Sequence, residues 1–183
     1  FSLEMRVNAE AILAGIDPGD KDTADSPNAA LYNQLRALPP KVLESRIMAF
    51  APTLIQGFKL NFDGKLVEPT LISVRVPEVK DPGRARVSTL KFEGTIPVGA
   101  RIFRWSFAAK FGDSILVVKH AGEHKGLSNW LKEGKESNPF PISEKFIPKS
   151  TAEVAAEYME LGFTHIIPKG LDHILFVLGI YLL

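Results

Sequence analysis

FKLNFDGKLVEP, residues 58–69, is the stretch from which the fold class is read. Phe58, Leu60 and Phe62 alternate with Lys59 and Asn61, the period of two that marks a half-buried strand. Asp63-Gly64 then supplies the residues that a tight two-residue turn favours, and the chain returns through Lys65-Leu66-Val67. A β-hairpin is predicted. Working outward toward the C-terminus, TLISVRV (70–76), STLKFEGTI (88–96), RIFRWSFAA (101–109) and SILVVKH (114–120) follow at short, even spacing, divided by Gly, Pro or Asp. In the third of these, Phe103, Trp105 and Phe107 lie opposite Ile102, Arg104 and Ser106, so an aromatic stripe faces one way and is assigned to the core. Short strands with turn chemistry between them predict a mainly β protein, sandwich-like or an open barrel.

Working outward toward the N-terminus, residues 26–56 interrupt the strands with helical spacing. Ser26-Pro27 is a good helix start, with the hydroxyl as cap and Pro at the first helical position. Ala30, Leu31, Leu35 and Leu38 recur helically, Pro39-Pro40 breaks the run, and Val42, Leu43, Ile47, Met48 and Phe50 mark a second helix. This is a two-helix insertion. Segment 1–15 opens with strict alternation of Phe1, Leu3, Met5 and Val7 against Ser2, Glu4, Arg6 and Asn8, which predicts a strand. Between them, IDPGDKDTADSP (16–27) is a polar loop. Its four acids, Asp17, Asp20, Asp22 and Asp25, lack the spacing and closing Glu of a calcium loop, so a solvated loop is expected.

Composition narrows the classes. In 183 residues, 22 Lys and Arg balance 21 Asp and Glu, which argues against a nucleic-acid partner. The hydrophobic share of 45% is enough for a core, so wholesale disorder is excluded. Cysteine is absent, which removes disulfides, thiolate metal sites and thiol nucleophiles. No Gly-rich phosphate loop, nucleophile elbow or paired-carboxylate arrangement stands out, and no catalytic residue is assigned.

The strand-rich domain is expected to span 1–140; residues 121–150 are polar and mixed, with Trp130 their one large apolar anchor. A Pro-rich tether follows over 141–150, then an amphipathic helix over 151–165 with Val154, Tyr158, Met159 and Phe163 on its apolar side. From Ile166 to Leu183 the chain is apolar but for Lys169, Asp172 and His173. The run LDHILFVLGIYLL (171–183) reaches only about 20 Å as a helix, against the ~30 Å of a bilayer core. It is apolar on every face and no helix stop follows it, so residues 166–183 are expected to begin a transmembrane helix that continues beyond them. Tyr158, Phe163 and Lys169 would mark the water–lipid interface, making the bilayer a partner. Phe1, where an initiator Met would stand, suggests a trimmed or processed start.

His165, Asp172 and His173 cluster at the mouth of this run, where burying polar groups is costly and therefore points to function. Two imidazoles with a carboxylate suit nickel, zinc, copper or iron(II), and such a site would weaken as protons compete below neutral pH. Asp172 and His173 point about 100° apart on a helix, so Asp172 could ligate or could orient an imidazole. On spacing alone two readings stand open: a metal site, or polar tips resting at the water–lipid boundary with Lys169 snorkelling. His120 and His124, in HAGEH, would share one face of a helix, but Gly122 and the end of a strand make a surface loop the expectation.

The stretch GFTHIIPKGLDHILFVLG (162–179) resembles the opening of the first transmembrane helix of the HupE/UreJ family, membrane proteins associated with hydrogenase and urease maturation. That family shows a His, a short spacer and an Asp-His pair at this place. The resemblance implies a polytopic protein that passes nickel or a related divalent metal across the bacterial inner membrane, with His165, Asp172 and His173 handling the ion. LYNQLRALPP (31–40) and DSPNAA (25–30) are similar to a subgroup with an extracytoplasmic strand domain ahead of the membrane part, which implies a periplasmic N-terminal domain. The alternative, from another class, is a non-catalytic accessory or assembly subunit that docks on a larger membrane complex through its β-domain. A zinc hydrolase with intramembrane ligands ranks well behind both.

Overall fold

The computed structural model describes residues 1–142 apart from 21, 80, 82, 83 and 125, and beyond them Ala156 and Met159, both helical and exposed. The chain divides into two compact units, Phe1–Glu144 and Lys145–Leu183. Among the described residues no helix is long and apolar enough to cross a membrane. The expected transmembrane start, 166–183, lies outside the described residues, as do most of the tether and of the amphipathic helix.

The first unit is mainly β, with three helices and three small antiparallel sheets. Strand β1 (Ser2–Val7) pairs with β5 (Ser88–Glu93), placing Leu3 opposite Phe92 and Met5 opposite Leu90. Strand β4 (Thr70–Arg75) lies on the other edge of β5, with a register shift between Leu71 and Ser73. The hairpin forms where the sequence placed it: β2 (Phe58–Phe62) and β3 (Lys65–Val67) are joined by Asp63 and Gly64, at φ 50° and 88°. Positive φ at both positions is what the inward twist of a two-residue turn demands. Asp63 also holds the neighbouring strand β6 (Ile102–Phe107), because its carboxylate accepts the Arg101 N–H at 2.7 Å and the Ile102 N–H at 3.0 Å. Short strand β9 (Phe140–Pro141) closes the far edge of β6, completing the order β3-β2-β6-β9.

Aromatic rings tie the first two sheets together. Phe58 of β2 meets Phe92 of β5 edge-on, with centroids 5.1 Å apart, and Trp105 of β6 at 5.0 Å. The stripe Phe103, Trp105, Phe107 does face the core, as alternation predicts, with Trp105 and Phe107 fully buried. Burial of each such side chain is worth about 1.5–3 kcal/mol.

Four local features depart from the sequence reading. Helix α1 (Ala9–Ala14) follows β1 directly, where only a strand was expected. Asn8 caps it by accepting the Ala11 N–H at 3.1 Å, and Gly15 ends it at φ 68°. The next helix, α2 (Ala29–Arg36), starts two residues later than Ser26-Pro27 would place it, so Ser26 is not its cap. Helix α3 (Pro40–Ile55) begins with Pro40 at its first position, in keeping with the sequence, and continues through Pro52. Val42 and Met48 nevertheless face solvent, while Leu43 and Ile47 are buried. Finally, a strand forms inside the segment read as polar: β8 (Leu127–Leu131) pairs with β7 (Ser114–Val118) as a separate two-stranded ribbon. Trp130 is no anchor. It is 64% exposed, and Leu131 and Phe140 supply the buried contacts instead.

Candidate functional site

The residues on which the sequence places metal chemistry, His165, Asp172 and His173, lie outside the described residues. So do the interface residues Tyr158, Phe163 and Lys169. Within the described residues, charged and polar side chains converge at three places.

The most buried is an ion pair that no sequence signal announced. Glu10, at the second position of α1, is 0% exposed, and Arg86, just before β5, is 7% exposed. Arg86 Nε donates to Glu10 Oε1 at 2.7 Å, while its two terminal nitrogens donate to the carbonyls of Leu38 at 3.0 Å and Leu35 at 3.2 Å. Those carbonyls belong to the C-terminal end of α2 and the turn after it, where unpaired acceptors and the helix dipole favour a cation. The guanidinium thus joins α1, α2 and the lead-in to β5. Glu10 Oε2 and the Ser88 hydroxyl are buried without a hydrogen bond among the described residues. A carboxylate with no exposed surface cannot meet a substrate, so this cluster is a clamp. Seventy-six residues separate the two partners, and only the fold could pair them.

The second place is the turn after β7. His120 Nε2 faces the carbonyls of Ile142 at 3.0 Å and Pro141 at 3.2 Å, and its Nδ1 lies 3.4 Å from Glu123 Oε2. Its ring rests on Phe140 at 4.9 Å. His124 stands exposed nearby and does not join it. Gly122 at φ 85° bends the chain, so HAGEH is a loop, as expected from the glycine. His120 pins β9 to the end of the ribbon. The acidic loop 16–27 is likewise spent on local geometry: Asp17 accepts the Gly19 N–H and Asp22 accepts the Ala24 N–H. Among the described residues no group of three or more metal-capable side chains converges.

The third is the outer side of α3. Lys41, Val42, Ser45, Arg46 and Ala49 line an open groove of about 530 Å³. Glu44 beside it accepts from Lys41 Nζ at 2.9 Å and from the Val76 N–H at 3.3 Å. The Lys41 hydrogen bond first, and the Val76 N–H second, hold the Glu44 carboxyl below the usual carboxylate range.

Comparison with known proteins bears on the other end of the chain. Residues 143–183 match the HupE / UreJ protein family, the family that the GFTHIIPKGLDHILFVLG stretch resembles. That family is membrane-associated, and the match takes in His165, Asp172 and His173 together with the apolar run. No curated protein and no solved structure matches the chain.

Proposed function

We propose that this chain is a membrane-attached, HupE/UreJ-like protein that passes a divalent transition metal of the nickel type, with His165, Asp172 and His173 receiving the ion. The observation that supports this is one of coincidence. The family match over 143–183 contains both the apolar run and the only Asp-His pair of the chain, with a further His at the run's polar edge. Two neutral imidazoles and a carboxylate offer two nitrogen donors and an oxygen donor, a set that borderline divalent ions favour over calcium or magnesium. The metal is cargo, so the donors must bind and release it, and a short, incompletely closed donor set suits that better than a tetrahedral cage. Tyr158, Phe163 and Lys169 then sit at the water–lipid boundary, the aromatic rings and the ammonium each placing a polar end in the headgroups. The bilayer is the bacterial inner membrane and the strand-rich unit lies on its periplasmic side.

Replacing His165, Asp172 and His173 together by Ala, in cells expressing the whole protein, should abolish accumulation of the transported metal. Nickel, cobalt, copper and zinc are each to be measured. Unchanged uptake of all four would remove transport and leave the accessory-subunit alternative, which co-purification of partner subunits would then support.

A further inference from the structure

The β7–β8 ribbon presents an outer face that the proposed function does not use. Strand alternation sends Leu116 inward and the side chains of Ile115 and Val117 outward; on β8, Leu131 goes inward and Trp130 outward. Ile115 is 70% exposed, Val117 60% and Trp130 64%, and Ile115 lies directly opposite Trp130 in the register. Outward positions of a solvated strand are ordinarily polar, so three large apolar side chains on one short ribbon form an unusual patch.

The charges around this patch have a definite layout. Lys119 follows the last residue of β7 and Lys132 the last residue of β8, so in an antiparallel ribbon one lysine stands at each end of the apolar centre. Both are exposed, and the Lys132 ammonium lies 4.0 Å over the Trp130 ring, an attractive cation–π contact. Of the acids nearby, Glu133 follows Lys132 and is exposed, and three others are turned to other groups. Asp113 accepts the Glu133 N–H at 3.1 Å, Glu123 faces His120 at 3.4 Å and Glu136 faces Arg104 at 3.8 Å.

We propose that this outer face of β7–β8 docks on an anionic lipid surface, with Trp130, Ile115 and Val117 at headgroup depth and Lys119 and Lys132 on the lipid phosphates. An aromatic amphiphile flanked by long cationic side chains is the composition that membrane interfaces favour. The patch is too small to enter the hydrocarbon alone, and a single tryptophan with two aliphatic side chains gives only weak, reversible binding. Continuity of the chain supplies the rest. Residues 143–165 lead from the end of β9 to the apolar run and can span at most roughly 75 Å, so a run seated in the bilayer keeps the ribbon at high effective concentration beside it. The proposal therefore rests on the membrane reading of residues 166–183.

The test uses the whole chain in vesicles of phosphatidylcholine with and without phosphatidylglycerol, carrying lipids brominated at shallow or deep acyl positions. Residues 1–183 hold two tryptophans, Trp105 buried and Trp130 exposed, and the difference between the protein and its Trp130→Phe variant isolates the exposed ring. Trp130 emission should shift to the blue in anionic vesicles and be quenched more by shallow than by deep bromines, with Trp130→Phe losing that quenching. Lys119→Gln and Lys132→Gln should each weaken docking about fivefold, as the loss of one lysine at an anionic surface implies. Vesicle-bound protein whose Trp130 stays red and unquenched would overturn the docking and leave the membrane reading standing. Protein that does not associate with vesicles at all would overturn both. A blue shift that appears without lipid and grows with protein concentration would assign the face to a second copy and overturn the proposal.

Discussion

Replacing Arg86 by Met should destabilise the strand-rich unit by about 3–5 kcal/mol, the usual cost of stripping one partner from a buried ion pair. The structure supports the full range. The substitution removes three hydrogen bonds at once, two of them to the carbonyls of Leu35 and Leu38, and it leaves Glu10 with no surface and no partner on either oxygen. For a unit of this size each kcal/mol moves the melting midpoint by about 2–4 °C, so a loss of roughly 6–20 °C is expected. Glu10→Gln keeps the shape and an acceptor, and should cost only about 2 kcal/mol. The double variant Glu10→Gln/Arg86→Met removes both charges together and should lose less than its two singles summed, giving a coupling energy of about 2 kcal/mol or more. Urea unfolding followed by near-ultraviolet dichroism measures all four proteins, and unchanged slopes show that the same surface is exposed in each. If Arg86→Met loses less than about 1 kcal/mol, or if the double variant loses the sum of the two singles, the clamp is no clamp and the pair is no more than incidental.

Other consequences can be checked in the same way. Glu44 is held ionised by Lys41 and the Val76 N–H, so its folded value lies below its unfolded one. Its contribution is present above the ordinary carboxylate range and is lost as pH falls through the lower folded value. Wild type should therefore exceed Glu44→Gln in stability at pH 7, with the gap closing below about pH 4. Asp63→Ala removes the acceptors for the Arg101 and Ile102 N–H groups at the hairpin turn and should cost about 1–2 kcal/mol, measured by thermal unfolding. Gly126→Ala would bring a Cβ to 2.5 Å from the Val118 carbonyl oxygen, a backbone atom that cannot simply rotate away. A loss of about 1–3 kcal/mol is expected, with faster amide exchange confined to β7 and β8. If His165 and His173 receive the metal as proposed, its accumulation should fall as pH drops through the ordinary imidazole range, near pH 6.5, because protons would compete with the ion for the ring nitrogens.

How much of this was legible in the chain differs from element to element. The hairpin at 58–67 and the strands after it could be read directly, because alternation and turn chemistry are local properties carried by adjacent residues. The aromatic face of β6 followed from the same period. Helix α1 escaped because six residues after a strand are too few for a helical period to show, and its Asn8 cap was read as a strand position. Strand β8 escaped because LSNWL sets Ser128 and Asn129 between Leu127 and the adjacent pair Trp130-Leu131, so its apolar side chains do not alternate, and because Trp130, taken for an anchor, faces outward.

The residues proposed to handle a metal were read from sequence alone. His165, Asp172 and His173 stand out because a bilayer would penalise every polar group in an apolar run, a penalty that depends on composition and not on any distant partner. Tertiary structure decided what contact at long range must decide: that Glu10 meets Arg86, that His120 pins β9, and that Trp130 with Ile115 faces solvent beside two lysines. A period tells which residues share a face. Only packing tells which face is covered, since that depends on which other elements the chain brings to it.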